Sequence, residues 1–299
     1  MTNKLSILFI VLMSFTVVMA IIGQPQAPPS SNIFVADLTV RDGKMIVGKP
    51  VNITNRDGYN NQPSFMPDGK SVLYTSIRED KQADIYRHDL AKSTEANVTN
   101  TKESEYSPTL MLDGKSISVI RVEADQTQRL WSFPLSGGQP SLVIEKVKPV
   151  GYHAWIDADN LALFVLGSPS TLQLYNMKTQ QAETVASDIG RSLFKVPGQM
   201  KVSFTQKIAG NQWEINELDV KTKAISKITT TQIGNEYYAW TPSGVLMTAN
   251  NGKLFTFKPG TDTEWREIAD LSSASVKGIT RLAVSPSGDK IAMVADRSK

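Results

Sequence analysis

The chain of 299 residues contains no cysteine and only two histidines, His88 and His153. Without cysteine there can be no thiolate metal site, iron–sulfur cluster, thiol nucleophile, disulfide or acylated lipoprotein anchor. Two histidines cannot supply a three-histidine metal centre. Charge of one sign is not concentrated either: 32 Lys and Arg stand against 29 Asp and Glu, a net +3 scattered along the chain. That excludes the dense basic stripe of a nucleic-acid-binding surface. Helical 3.6-residue periodicity is lacking, and no Gly-x-Ser-x-Gly nucleophile elbow occurs. What remains is 40% hydrophobic, with 19 Gly and 15 Pro, enough apolar material for a packed core.

The chain opens on an apolar run. Residues 1–4 carry one positive charge, residues 5–18 are apolar, and Val18-Met19-Ala20 places small or branched residues where signal peptidase reads. Residues 1–20 are therefore expected to be a secretory signal, which makes the body periplasmic or secreted. Extended to Ile22 the run reaches spanning length, so an uncleaved anchor is the alternative and the only expected link to a membrane. Residues 21–32, with Pro25, Pro28 and Pro29, read as an extended leader, and residues 33–299 as one domain.

An internal repeat organises that domain. The segment Gln62-Pro63-Ser64-Phe65-Met66-Pro67-Asp68-Gly69-Lys70 is matched 45 positions later by Ser107-Pro108-Thr109-Leu110-Met111-Leu112-Asp113-Gly114-Lys115. Asn52-Ile53-Thr54-Asn55 and Asn97-Val98-Thr99-Asn100 share the same offset. These triplets fit the glycosylation motif, but a common repeat position explains them through the fold. With Phe65 as anchor, equivalents follow at Leu110, Trp155, Phe194, Trp240 and Val284. Four residues beyond each anchor stands a glycine, except at Asp159 in the third unit, as a tight hairpin between two strands requires. Apolar pairs such as Ile85-Tyr86 and Leu130-Trp131 mark a third strand, and Val98-Thr99 or Leu142-Val143 a fourth. Four strands in a period of about 44 residues is the signature of a β-propeller.

The two ends complement each other. After Val284 there is room for a hairpin and second strand, whereas residues 32–38 and 51–54, separated by the turn Arg41-Asp42-Gly43, are a third and fourth strand with nothing before them. The expected fold is all-β: a six-bladed propeller with four antiparallel strands per blade, closed by N- and C-terminal strands sharing one blade. Such closure leaves no sheet edge between first and last blades.

The motifs Phe65-Met66-Pro67-Asp68-Gly69-Lys70 and Val284-Ser285-Pro286-Ser287-Gly288-Asp289, with Ile85, Tyr86, Asp89 and Leu90 after the first, resemble the WD-like repeat of TolB-type β-propellers. The likeness covers about residues 33–296, is specific in the units of Phe65 and Leu110, and is degenerate elsewhere, as in the unit of Trp155, which has Ile156-Asp157-Ala158-Asp159-Asn160. It implies a periplasmic or secreted six-bladed propeller that binds partners without catalysis. A first propeller strand near Asn32 leaves no room for the α/β domain that the Tol-system protein carries before its propeller.

Function in propellers concentrates where loops enter the innermost strands. Three residues before the anchors lie Gln62, Ser107, Tyr152, Arg191, Tyr237 and Arg281; Asn60, Asn61, Glu105, Tyr106, Glu236 and Tyr238 are neighbours. Tyrosine offers flat contact area with one hydrogen bond, and arginine clamps a carboxylate with two. The ligand-binding candidates are Tyr152, His153, Arg191, Glu236, Tyr237 and Arg281, set against the plainer reading that these residues only solvate a channel mouth. Asp157, Asp159 and Asn160 are expected to replace the glycine hairpin, not to hold calcium. No catalytic residue, metal or cofactor is assigned. The expected partner is a protein or peptide of the cell envelope, bound by a monomer. The alternatives are an enzyme acting on a polysaccharide or lactone, and a carbohydrate-binding propeller. Propeller lyases with a similar repeat use a histidine-rich metal site, which His88 and His153, at unlike repeat positions, do not match.

Overall fold

The computed structural model describes residues 28–274 and 276–296; the segment read as a secretory signal lies outside the described residues. Six antiparallel sheets succeed one another along the chain. Their innermost strands are Asn60–Phe65, Ser104–Leu110, Val150–Trp155, Ile189–Lys195, Tyr238–Trp240 and Leu282–Val284. Five of the six anchors end these strands, and Phe194 stands one residue short of its end.

Each innermost strand turns back on a short hairpin. In the first blade Asp68 Oδ1 accepts from Lys70 N at 3.0 Å while Gly69 N donates to Met66 O at 2.9 Å, and Gly69 takes φ +64°. A Cβ would be strained there. The third blade manages without glycine: Asp157 Oδ1 accepts from the backbone N–H of Asp159 and of Asn160, both at 2.8 Å, and from Asn160 Nδ2 at 2.9 Å. The acidic pair is thus a turn device, as expected.

Period-two alternation builds the ring because every sheet is covered on both faces. In Asn160–Val165, Leu161, Leu163 and Val165 pack toward the second blade, whereas Ala162 and Phe164 pack toward the fourth. Six such apolar clusters fill the six interfaces among the described residues.

The ring closes head to tail. Ser31–Arg41 pairs antiparallel with Lys290–Asp296, in register from Ser31 opposite Asp296 to Asp37 opposite Lys290. The strand starts two residues before the expected domain boundary at 33. Ile33 N donates to Thr54 Oγ1 at 3.0 Å, as Ile85 N donates to Thr99 Oγ1 at 3.0 Å in the first blade. The N-terminal strand is therefore a true third strand. One detail departs from expectation: Ser31–Arg41 overshoots its sheet and folds back on Lys44–Val47 before the chain reaches Val51–Asn52. Leu38, Met45 and Val47 on this extra hairpin cover the interface with the fifth blade, which gives it a reason to form.

Candidate functional site

The innermost strands surround a central cavity of about 500 Å³. β-Bulges interrupt the first four of them, between Asn61 and Ser64, Tyr106 and Thr109, Val150 and Tyr152, and Ile189 and Leu193. A bulge re-aims side chains at the rim of a closed sheet. Gln62 and Ser107, one repeat apart, both hold left-handed backbone there, at φ +57° and +56°. Gln62 Oε1 accepts from Thr75 Oγ1 at 2.8 Å and from Ser107 N at 2.9 Å, tying the first blade to the second.

Five of the six candidate residues form one network across the channel mouth. Arg281, from the sixth blade, donates through Nη2 to Tyr152 OH of the third at 2.8 Å. Those blades stand opposite each other in a ring of six, so the bond bars the channel. The Arg281 guanidinium carbon lies 4.9 Å from the Tyr152 ring centroid and 4.5 Å from that of Tyr237, within cation–π range. Arg191 Nη1 donates to Tyr237 OH at 3.4 Å and stands 3.7 Å from Glu236 Oε1. Glu236 Oε2 accepts the Arg191 backbone N–H at 2.8 Å, a second bond between the entry segments of neighbouring blades.

His153 stands apart from this network. It is 6% exposed, and its Nε2 meets Ser118 Oγ at 2.6 Å in the interface of the second and third blades. Ser118 Oγ also accepts from Trp155 Nε1 at 2.9 Å. The same device recurs between the fourth and fifth blades, where Ser203 Oγ accepts from Tyr238 OH and Trp240 Nε1, both at 2.8 Å. Burial drives the His153 pKa down to about 3, so the imidazole is neutral at pH 7. Its geometry is that of a blade-joining group. The signal was in the sequence: His153 and Trp155 follow Ser118 at the same offsets, 35 and 37, at which Tyr238 and Trp240 follow Ser203.

Sequence reasoning missed Tyr59 and Lys195. Tyr59 lies within electrostatic reach of Arg281, Tyr152, Tyr106 and Tyr237, and burial raises its pKa, keeping the phenol protonated. Lys195 lines the cavity one residue beyond the Phe194 anchor. Among the described residues no group of three or more His, Asp or Glu side chains is placed to hold a metal ion.

Gly190 makes the Arg191–Glu236 contact possible. A Cβ built there would lie 2.6 Å from Glu236 Oε2 and 2.9 Å from the Trp213 ring, and would collide with Thr205 Oγ1. We therefore expect Gly190→Ala to lower stability by about 1–3 kcal/mol, the usual cost of overpacking, and to unseat Glu236. Urea melts check the first effect and backbone amide shifts of Arg191 the second.

The architecture is that of a six-bladed β-propeller, without an α/β domain among the described residues. It superposes on a provisionally identified TolB from Agrobacterium tumefaciens with a TM-score of 0.68 at 17% identity, covering 90% of this chain and 100% of that one. TolB from Acinetobacter baumannii gives 0.58 at 14% identity, over 90% of this chain and 65% of that one. The oligogalacturonate lyase of Vibrio parahaemolyticus gives 0.53 at 12% identity, over 89% and 98%. At these identities the likeness is one of fold. No protein-family model and no curated protein matches the chain.

Proposed function

We propose that the chain is an exported, non-enzymatic propeller that binds a protein or peptide of the cell envelope at its channel mouth. The observation that carries this reading is the network of Tyr152, Arg281, Tyr237, Arg191 and Glu236, drawn from four blades into one rim. Tyrosine and arginine are the residue types that dominate protein recognition, since both bury large flat surfaces and bond at their tips. The TolB neighbours support a partner-binding role in the envelope, and the apolar run of residues 5–18 supports export. Among the described residues no helix is long and apolar enough to cross a membrane. The lyase neighbour motivates the rival reading, but His88 and His153 lie in different blades and His153 is tied to Ser118.

Capture from envelope extracts, followed by affinity measurement with the partner so identified, tests the proposal. Replacing Tyr152, Arg191, Glu236, Tyr237 and Arg281 together by alanine should weaken binding at least about thirtyfold, the effect of one strong interface residue. Unaltered capture by the fivefold variant would overturn the reading. Cleavage of oligogalacturonate by the wild-type chain, with or without manganese, would overturn its non-enzymatic half.

A further inference from the structure

The channel mouth holds two arginines against one carboxylate, that of Glu236. The cavity wall carries three cationic side chains, Arg191, Lys195 and Arg281, and no Asp or Glu. Lys195 lies four residues along the strand from Arg191, roughly 13 Å away at the usual rise, so only the two arginines share the mouth. Arg281 forms no ion pair among the described residues: its one protein acceptor is Tyr152 OH, and its flat face rests against Tyr152 and Tyr237. The neighbouring acid, Glu236, acts on Arg281 only at a distance, its two oxygens being turned to the backbone N–H and the guanidinium of Arg191. The Arg191 side chain is 57% exposed and held only by the 3.7 Å approach to Glu236 Oε1 and a 3.4 Å bond to Tyr237 OH, so it can turn toward an incoming group. A guanidinium drawn into a protein is ordinarily matched by a carboxylate that takes its fork in two parallel bonds, and here that acceptor is missing.

We infer that the mouth is a carboxylate receptor, in which Arg281, held between Tyr152 and Tyr237 and assisted by Arg191, takes one carboxylate of an acidic peptide. The incoming group replaces the Tyr152 hydroxyl as acceptor, and the phenol turns from bar to donor. A polyuronate, with an acid on every sugar, would call for a row of cations; a single guanidinium ringed by tyrosines suits a lone carboxylate on a peptide. This inference rests on the partner-binding reading above and names the chemistry that partner must present.

Calorimetric titration of the full chain tests it. The probes are acetyl-Gly-Gly-Asp-Gly-amide, acetyl-tetraglycine with a free C-terminal acid, the neutral acetyl-Gly-Gly-Asn-Gly-amide, trigalacturonate and inorganic phosphate. We expect one acidic peptide to bind at least about tenfold more tightly than the neutral one, the weight of a charge-assisted pair. Which acid wins tells a side chain from a chain end. Arg281→Gln should abolish the preference, Arg281→Lys should keep part of it, and Arg191→Gln should reduce it a few-fold. Added salt should weaken the acidic peptide alone. The inference is overturned by equal binding of acidic and neutral peptides, by a preference that survives in a folded Arg281→Gln chain, or by tighter binding of phosphate or trigalacturonate. Should Arg281→Gln fail to fold, Arg191→Gln and the salt series decide, and no change in either overturns it. No acid preference in the wild-type chain, with its partner capture lost in the fivefold variant, refutes only the carboxylate receptor. Capture undisturbed in the fivefold variant refutes the partner-binding reading itself.

Discussion

Val294→Asp should lower the midpoint of thermal unfolding by about 6–16 °C. Val294 is 1% exposed and sits in the closing strand opposite Ile33, packed with Phe65, Val72 and Tyr74 of the first blade. Aspartate there loses apolar contacts and buries an unpartnered carboxylate, at a cost of about 3–4 kcal/mol or more. In a domain of this size each kcal/mol moves the midpoint by about 2–4 °C. Ile33→Ala, from the opposite end of the chain, should cost about 2–4 kcal/mol through the cavity it leaves in the same cluster. Because the two residues touch one cluster, the double variant should depart from additivity. Val40→Asp is the control: at 69% exposure it should change stability by less than about 0.5 kcal/mol. A Val294→Asp chain that melts with the wild type would show that the two termini do not close the ring.

The second large effect is a pair of opposed pH dependences. Glu105 is fully buried; Thr101 Oγ1 donates to its Oε1 at 2.6 Å, Arg121 Nε stands 3.4 Å from the same oxygen, and Oε2 has no partner. Burial raises its pKa to about 7, outweighing Thr101, Thr99 and Arg121. Between about pH 4.5 and 7 the folded chain thus holds a proton that the unfolded chain has released. Its contribution to stability is complete below pH 4.5 and is lost as pH rises to 7. His153 runs the other way. With a folded pKa near 3 and an unfolded value of 6.5, it stays neutral while the unfolded chain gains a proton, and stability is lost as pH falls below 6.5.

Each slope amounts to at most about 1.4 kcal/mol per pH unit, so the two largely cancel between pH 4.5 and 6.5. Relative to wild type, Glu105→Gln should lose stability as pH falls through this window, and His153→Gln should gain it. Urea unfolding at half-unit steps from pH 4.5 to 7 checks both, and parallel curves for the three proteins would refute the assignment. Carboxylates elsewhere titrate alike in all three and drop out of the differences.

Much of the fold was legible in the chain because its causes are local. Hairpin glycines, the Asp68 and Asp157 turns and alternating apolar strands each act within a few residues, and a repeat of about 44 multiplies their signal. The candidate site was half legible. Counting back three residues from an anchor located Tyr152, Arg191, Tyr237 and Arg281, since equivalent positions recur at the same height in every blade. Counting could not say which way a side chain turns at a bulge, so His153 read as part of the mouth although it points into an interface. Tyr59 lay outside the positions counted, and Lys195 lay beyond the anchor.

The amino-acid sequence by itself determined the number of blades, their hairpins and the sharing of one blade by the two ends, because strand pairing follows patterns written along the chain. Only the tertiary structure decided that Arg281 meets Tyr152 across the channel, 129 residues away, and that the nearby Glu236 turns to Arg191 and not to it. Ring closure sets those neighbours. Opposition across an axis depends on the summed geometry of all six blades, and no local rule carries it.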